Sequence, residues 1–211
     1  MNSNFKFIHC ADLHLDAPFK GINIDNPTFQ NILRNSTFQA FEKIVKTAIN
    51  QNVDFMIISG DIYNSSDKSL YAQLFFFKQM KILMQHNITC FLIHGNHDPL
   101  DGWEVDTNFP LNVHRFTSNV SCETIMKNDK PLANIIGYSY PKREITTNIS
   151  LLISEVAKNQ KHNVFTIGVL HCNVGKNLTT ENYAPCSLED LKTSTVNYWA
   201  LGHVHTMSII N

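Results

Sequence analysis

The chain carries no surplus of either charge sign. Lys plus Arg number 17, Asp plus Glu number 18, and the net charge is -1. That balance excludes a broadly basic surface for coating nucleic acid and leaves room only for a local patch. No apolar run approaches the ~20 residues of a membrane span. Met1 to Cys10 lacks a charged stretch followed by a long apolar one, so no signal peptide is expected. There is no Cys-x-x-Cys pair; the five cysteines (Cys10, Cys90, Cys122, Cys172, Cys186) are odd in number and widely spaced. This predicts reduced, mostly buried thiols in a cytoplasmic protein rather than a disulfide frame. No internal repeat or low-complexity tract is present. What is present is 211 residues, 43% hydrophobic, enough for one large domain with a sizeable core.

Apolar runs predict strands at Phe5–Cys10, Val53–Ser59, Ile88–Ile93, Val164–Leu170 and Val196–Leu201. The second is apolar almost throughout, as in a sheet covered on both faces. Helices are expected from Thr37 to Gln51, behind a capping box at Ser36 and Gln39, and from Asp67 to about His86. The second has Leu70, Leu74, Phe77 and Leu83 among its apolar positions, and its Phe75-Phe76-Phe77 run predicts deep burial. A short helix is expected after Asn26-Pro27, another over Thr147–Lys158, and one or two turns over Ser187–Leu191. Between Val113 and Tyr140, three short runs separated by polar turns suggest antiparallel strands.

Five of the strand-like runs end in metal-ligating residue types. The first is followed by Asp12 and His14, the second by Asp61, the third by Asn96 and His97, the fourth by His171, and the last by His203 and His205. In an open α/β sheet the carboxyl ends of the strands form the ligand crevice. In Gly95-Asn96-His97-Asp98 the glycine permits a sharp turn, Asn96 offers an amide oxygen, His97 can exchange a proton near neutrality, and Asp98 can fix the His97 tautomer. A ligand set of carboxylates, imidazoles and one amide, without thiolate, disfavours structural zinc and suits Mn, Fe or catalytic Zn. The set exceeds the needs of one ion, so two ions sharing a carboxylate fit better, the arrangement that serves phosphoryl displacement. His9, His86, His94, His114 and His162 read as structural or surface residues. Trp103 falls in the loop after the third strand, near the cleft, where it reads as a partly buried structural residue or a stacking platform.

The order Asp-x-His, Gly-Asp, Gly-Asn-His-Asp, His, Gly-His-x-His resembles the calcineurin-like metallophosphoesterases. Within them, the stretches Ala11–Phe19 and Tyr198–His205 are similar to the SbcD/YhaO branch of DNA-repair exonucleases. The resemblance covers residues 5 to 205. It implies a four-layer α/β/β/α sandwich with two mixed sheets and the site at one edge. It implies one metal on Asp12, His14, Asp61 and His205 and a second on Asp61, Asn96, His171 and His203. It makes His97 the general acid or transition-state stabiliser at the leaving oxygen, oriented by Asp98. The expected activity is Mn-dependent exonucleolytic hydrolysis of DNA by metal-activated water. Double-stranded DNA ends would be the substrate, an SbcC-like coiled-coil ATPase a partner, and a homodimer a further assembly.

Three departures bear on that expectation. The position three residues after Asp61, a histidine in many nucleases of the group, is Asn64; it can hydrogen-bond a substrate phosphate but cannot shuttle a proton. The chain stops six residues after His205, where relatives continue into further strands and a capping domain, so residues 1–211 are expected to be a catalytic domain lacking its last strands. The neutral charge offers no DNA track. Two rival readings therefore stand: a phosphoesterase on small nucleotide-type substrates, and a truncated, non-catalytic metal-binding scaffold. A protein phosphatase fits less well, since there is no Gly-Asn-His-Glu and no Asp-Arg-Gly after Gly-Asp.

Overall fold

Alternation along the central strands dictates the layering. In β2 (Phe55–Ser59), Phe55 and Ile57 join one apolar cluster while Met56 and Ile58 join another. In β3 (Thr89–Ile93), Phe91 and Ile93 divide from Cys90 and Leu92 in the same way. Side chains with period two from a strand buried on both faces need an apolar layer on each side. The computed structural model describes residues 4–17, 35–66, 68–105, 108–160, 164–175 and 183–210. The helix expected after Pro27, His162 and the middle of the 173–186 loop lie outside them.

The first sheet has the order β1 (Phe7–Cys10), β2, β3, β4 (Val113–Arg115). Its outer face packs on α1 (Ser36–Asn50) and α2 (Leu70–Gln85) through Phe41, Val45, Ala48, Phe76 and Met80. The second sheet has the order β5 (Ser121–Lys127), β6 (Lys130–Gly137), β7 (Phe165–His171), β8 (Tyr198–Gly202). Its outer face carries α3 (Ile149–Lys158) and α4 (Leu188–Lys192), packed through Ile149, Ile153, Ala157 and Leu191. Between the sheets lie Phe55, Ile57, Phe91, Ile93, Phe116, Ile135, Ile167, Val169 and Ala200, all buried. The result is the expected α/β/β/α sandwich.

The details differ from the sequence reading in places. The first sheet is parallel throughout. Mixed pairing belongs to the second, where β5 and β6 are antiparallel and β6, β7 and β8 parallel. Val113–Arg115 is therefore not antiparallel: β4 runs parallel beside β3, with Cys90 opposite Val113. The β5–β6 hairpin turns on Asn128 and Asp129, whose φ values of 51° and 57° suit a two-residue turn. The capping box at Ser36 does not form. Asn35 is the N-cap without a side-chain cap, so Ser36 already sits inside the helix. On α2, Phe76 and Phe77 are buried as expected, but Leu70 and Leu74 are each 49% exposed; the buried stripe runs through Ala72, Phe76, Met80 and Leu83 instead. All five cysteines are free thiols. Among the described residues no helix is long and apolar enough to cross a membrane.

Candidate metal centre

The parallel strands bring their carboxyl ends to one edge of the sandwich. Asp12 and His14 follow β1, Asp61 follows β2, Asn96 and His97 follow β3, His171 ends β7, and His203 and His205 follow β8. Main-chain bonds knit these ends together: Asp12 N–H to Gly60 O and His14 N–H to Asp61 O, both 3.1 Å. The His203 N–H donates to the Asp12 carboxylate at 3.1 Å. Asp12, His14, Asp61 and His203 all have positive φ, at 54°, 41°, 53° and 96°. For residues with a β-carbon this is strained backbone, of the kind that collects at functional sites.

The donors fall into two overlapping groups. In one, His14 Nε2 lies 3.3 Å from His205 Nε2 and 3.7 Å from Asp61 Oδ2, and His205 Nε2 is 3.6 Å from Asp12 Oδ1. In the other, Asn96 Oδ1 is 3.0 Å from both His171 Nε2 and His203 Nδ1, and His171 Nε2 is 3.2 Å from Asp61 Oδ2. Asp61 Oδ2 thus faces both groups. Asp12 also reaches across: its carboxylate clusters within 4.8 Å with His14 and His205, and again with Asp61 and His171. Two carboxylates, four imidazoles and an amide converging this closely, with Asp61 and His171 buried, are a donor set for divalent cations.

His171 shows how the ligand geometry is enforced. Its Nδ1 faces the Ser59 carbonyl at 2.8 Å. A carbonyl only accepts, so Nδ1 carries the hydrogen and Nε2 turns its lone pair to the site. The ring fits because two strand-end glycines leave room. A β-carbon at Gly60 (φ +90°) would lie 2.6 Å from His171 Nδ1, and one at Gly95 would run into the Asp61 carboxylate and the His171 ring.

Protonation favours ion binding at Asp61, His14 and His203, while His171 is biased the other way by its carboxylate neighbours. Burial raises the Asp61 carboxyl, but the His171 ring and the His97 N–H outweigh it and hold it at about 2. Burial pushes His203 down to about 4, helped by neighbouring His171, and burial also lowers His14. Burial lowers His171 too, yet Asp61 and Asp12 more than reverse that and raise it. Ionised Asp61 with neutral His14 and His203 is the state that ligation requires.

His97 sits beside this cluster, its ring edge-on to His14 with centroids 5.0 Å apart. Its N–H donates to Asp61 Oδ1 at 2.9 Å. The expected Asp98–His97 pairing is absent. The buried Asp98 carboxylate instead accepts N–H groups from Gly95 and Ile62 at 2.8 Å and from Asp61 at 3.2 Å. Those turn amides have no ladder partner, and satisfying them commands the carboxylate. The His97 Nδ1 is held by the Asn64 carbonyl, at 2.9 Å. Asn64 thus meets His97 through its main chain, a role its side-chain type does not signal. Two further residues escaped the sequence reading. Ser59 acts through a carbonyl and has no local signature. Asp16, which binds Asn64 N–H at 2.7 Å, closes the acidic pattern Asp-Leu-His-Leu-Asp, where alternation could have drawn attention to it. Trp103 is 53% exposed, its N–H bonded to Ser66 O at 3.0 Å.

Comparison with known proteins gives the frame for this chemistry. A sequence model of the calcineurin-like phosphoesterases matches residues 5–207. The metallophosphoesterase YhaO of Bacillus subtilis, itself uncharacterized, is 36% identical over 215 aligned positions, taking in 100% of this chain and 51% of that protein. The DNA double-strand break repair protein Mre11 of Saccharolobus solfataricus is 28% identical, over 80% of this chain and 43% of its own length. Its namesake in Methanococcus maripaludis is 26% identical, over 97% and 52%. The chain spans about half the length of the curated relatives it matches. A family match of this extent, on strand ends that deliver converging carboxylates and imidazoles, makes the chain a member of the calcineurin-like phosphoesterases.

Proposed function

We propose that the chain is the two-metal catalytic domain of a phosphodiesterase acting on DNA, a Mn-dependent exonuclease of the DNA-repair type. The observation that carries the reading is Asp61 Oδ2, which faces His14 on one side and His171 on the other. Asp12, His14, Asp61 and His205 would hold one ion and Asp61, Asn96, His171 and His203 the second. When bound, such a pair supplies positive charge against the phosphate oxygens and lowers the pKa of water. The protein's own groups do the rest. His97, with Nδ1–H committed to Asn64 O, would present Nε2 to the leaving oxygen and, as the imidazolium, donate the Nε2 proton there, returning to the neutral Nδ1–H form. Asp98 holds the turn that carries Asn96 and His97. The Asn64 amide would contact the substrate phosphate.

DNA as substrate is supported by the relatives named for double-strand break repair. A coiled-coil ATPase of the SbcC type and a homodimer are the assemblies in keeping with it, and five free thiols support a cytoplasmic setting. A second reading, a phosphoesterase on a small nucleotide-type substrate, is favoured by Asn64 and by the net charge of -1.

The test is hydrolysis of a chromogenic phosphodiester and of linear double-stranded DNA with Mn, Mg and Zn in parallel. Cleavage of both with Mn is expected, and His97→Ala should cost about 10²–10⁴-fold with metal content unchanged. Cleavage of the small ester alone would transfer the argument to the second reading. Bound metal without any cleavage would favour a non-catalytic scaffold, and unchanged turnover in the His97 variant would remove its assigned role.

A further inference from the structure

The loop after β2 has no regular structure, yet it carries the carbonyl that fixes His97. Backbone groups in such a loop need partners from elsewhere. Two carboxylates supply them. Asp98 takes the first half, accepting from Asp61 and Ile62. Asp16 takes the second. Its Oδ1 accepts the Asn64 N–H at 2.7 Å and its Oδ2 accepts the Ser69 N–H, the N-cap of α2, at 2.9 Å. Both are charge-assisted bonds from one half-buried carboxylate. On the far side of the Asn64 α-carbon, the Asn64 carbonyl receives His97 Nδ1–H at 2.9 Å. The segment before Asp16 is itself tied to the loop, with Leu15 N–H on Ile62 O at 3.0 Å. Asp16 belongs to neither cluster of metal-ligating donors.

We infer that Asp16 is a positioning residue for His97: by clamping Asn64 against the start of α2 it places the carbonyl that holds His97 Nδ1–H and so aims Nε2, which bears the transferable proton in the imidazolium, at the leaving group. Rotating the Asn64 peptide would free Nδ1, letting the imidazole tumble or change tautomer. The chemical consequence belongs to one step only, protonation of the departing oxygen. A nitrophenolate leaves without help; an alkoxide, as in a nucleotide, does not.

The inference rests on the phosphodiesterase reading for its catalytic arm and is independent of it in its spectroscopic arm. In the metal-free protein, long-range ¹H–¹⁵N correlation should show His97 as the Nδ1–H tautomer. Asp16→Ala should convert that to an averaged signal, and an unchanged His97 spectrum overturns the inference. With Mn, Asp16→Ala should slow hydrolysis of a dinucleotide by about ten- to hundredfold, the cost of a misplaced catalytic group, and barely affect bis(p-nitrophenyl) phosphate. In the His97→Ala background it should have no further effect. A loss of equal size in both backgrounds, or on both substrates, would make Asp16 a mere stability element. Should Asp16→Ala fail to fold, Asp16→Asn, which keeps one acceptor oxygen, carries the same cycle with a smaller effect. If the wild-type protein cleaves neither substrate, the phosphodiesterase reading falls while the spectrum still decides whether Asp16 sets His97.

Discussion

Gly95 is the residue at which the centre has least tolerance. Any side chain there meets the Asp61 carboxylate and the His171 ring together, so Gly95→Ala must displace the carboxylate shared by the two donor groups. The expected result is a loss of about 10–100-fold in Mn affinity, the scale for disturbing the support of a ligand, measured by titration calorimetry with the far-UV spectrum as a control on folding. Unaltered affinity would mean that Asp61 is not a shared ligand. At this scale the convergence of these side chains was legible because residue type and strand-end position are both written in the chain. The support of His97 was not. A carbonyl has no letter, and Asp98, an obvious acceptor by type, is consumed by the Gly95 amide of its own turn and by the Asp61 and Ile62 amides, which become its neighbours only on folding.

Secondary-structure elements were legible where burial is two-sided and ambiguous where it is one-sided. The runs that became β2, β3 and β7 stand out because both faces are covered. Short β4, three residues long, gave no clue to its direction, which is set by its pairing with β3. Helix α2 is apolar nearly all round, so periodicity could not separate its inner stripe from Leu70, Tyr71 and Leu74, which face outward. Mutation should separate them. Phe76, fully buried and stacked on Phe41 with centroids 5.7 Å apart, should cost about 3–5 kcal/mol as Phe76→Ala. Leu74→Ala, half exposed, should stay within about 0.5 kcal/mol. Urea denaturation measures both, and a large loss at Leu74 would reveal that its face is covered in solution.

For the whole molecule, the question is whether the ions hold the fold together or only occupy it. Three apolar layers run the length of the sandwich: helices on the first sheet, sheet on sheet, and helices on the second. None of them includes a metal-ligating residue of the centre, and the ligand segments are tied by main-chain bonds that need no ion. The protein should therefore keep its far-UV spectrum in chelator. Yet the centre costs free energy when empty of cations, since it gathers two carboxylates in partly or fully buried positions and strains the backbone at four ligand positions. Cations that bind only the folded chain return that energy by mass action. At one hundred times the dissociation constant, each site contributes about 2.7 kcal/mol, which for a domain of this size is about 5–10 °C in melting temperature. A Mn titration followed by scanning calorimetry should thus raise Tm by at least that much, continuing upward as the second site fills, while the chelated protein still melts cooperatively. Loss of the cooperative transition in chelator would make the metals structural, and a Tm indifferent to Mn would remove the dinuclear centre on which the proposed chemistry depends.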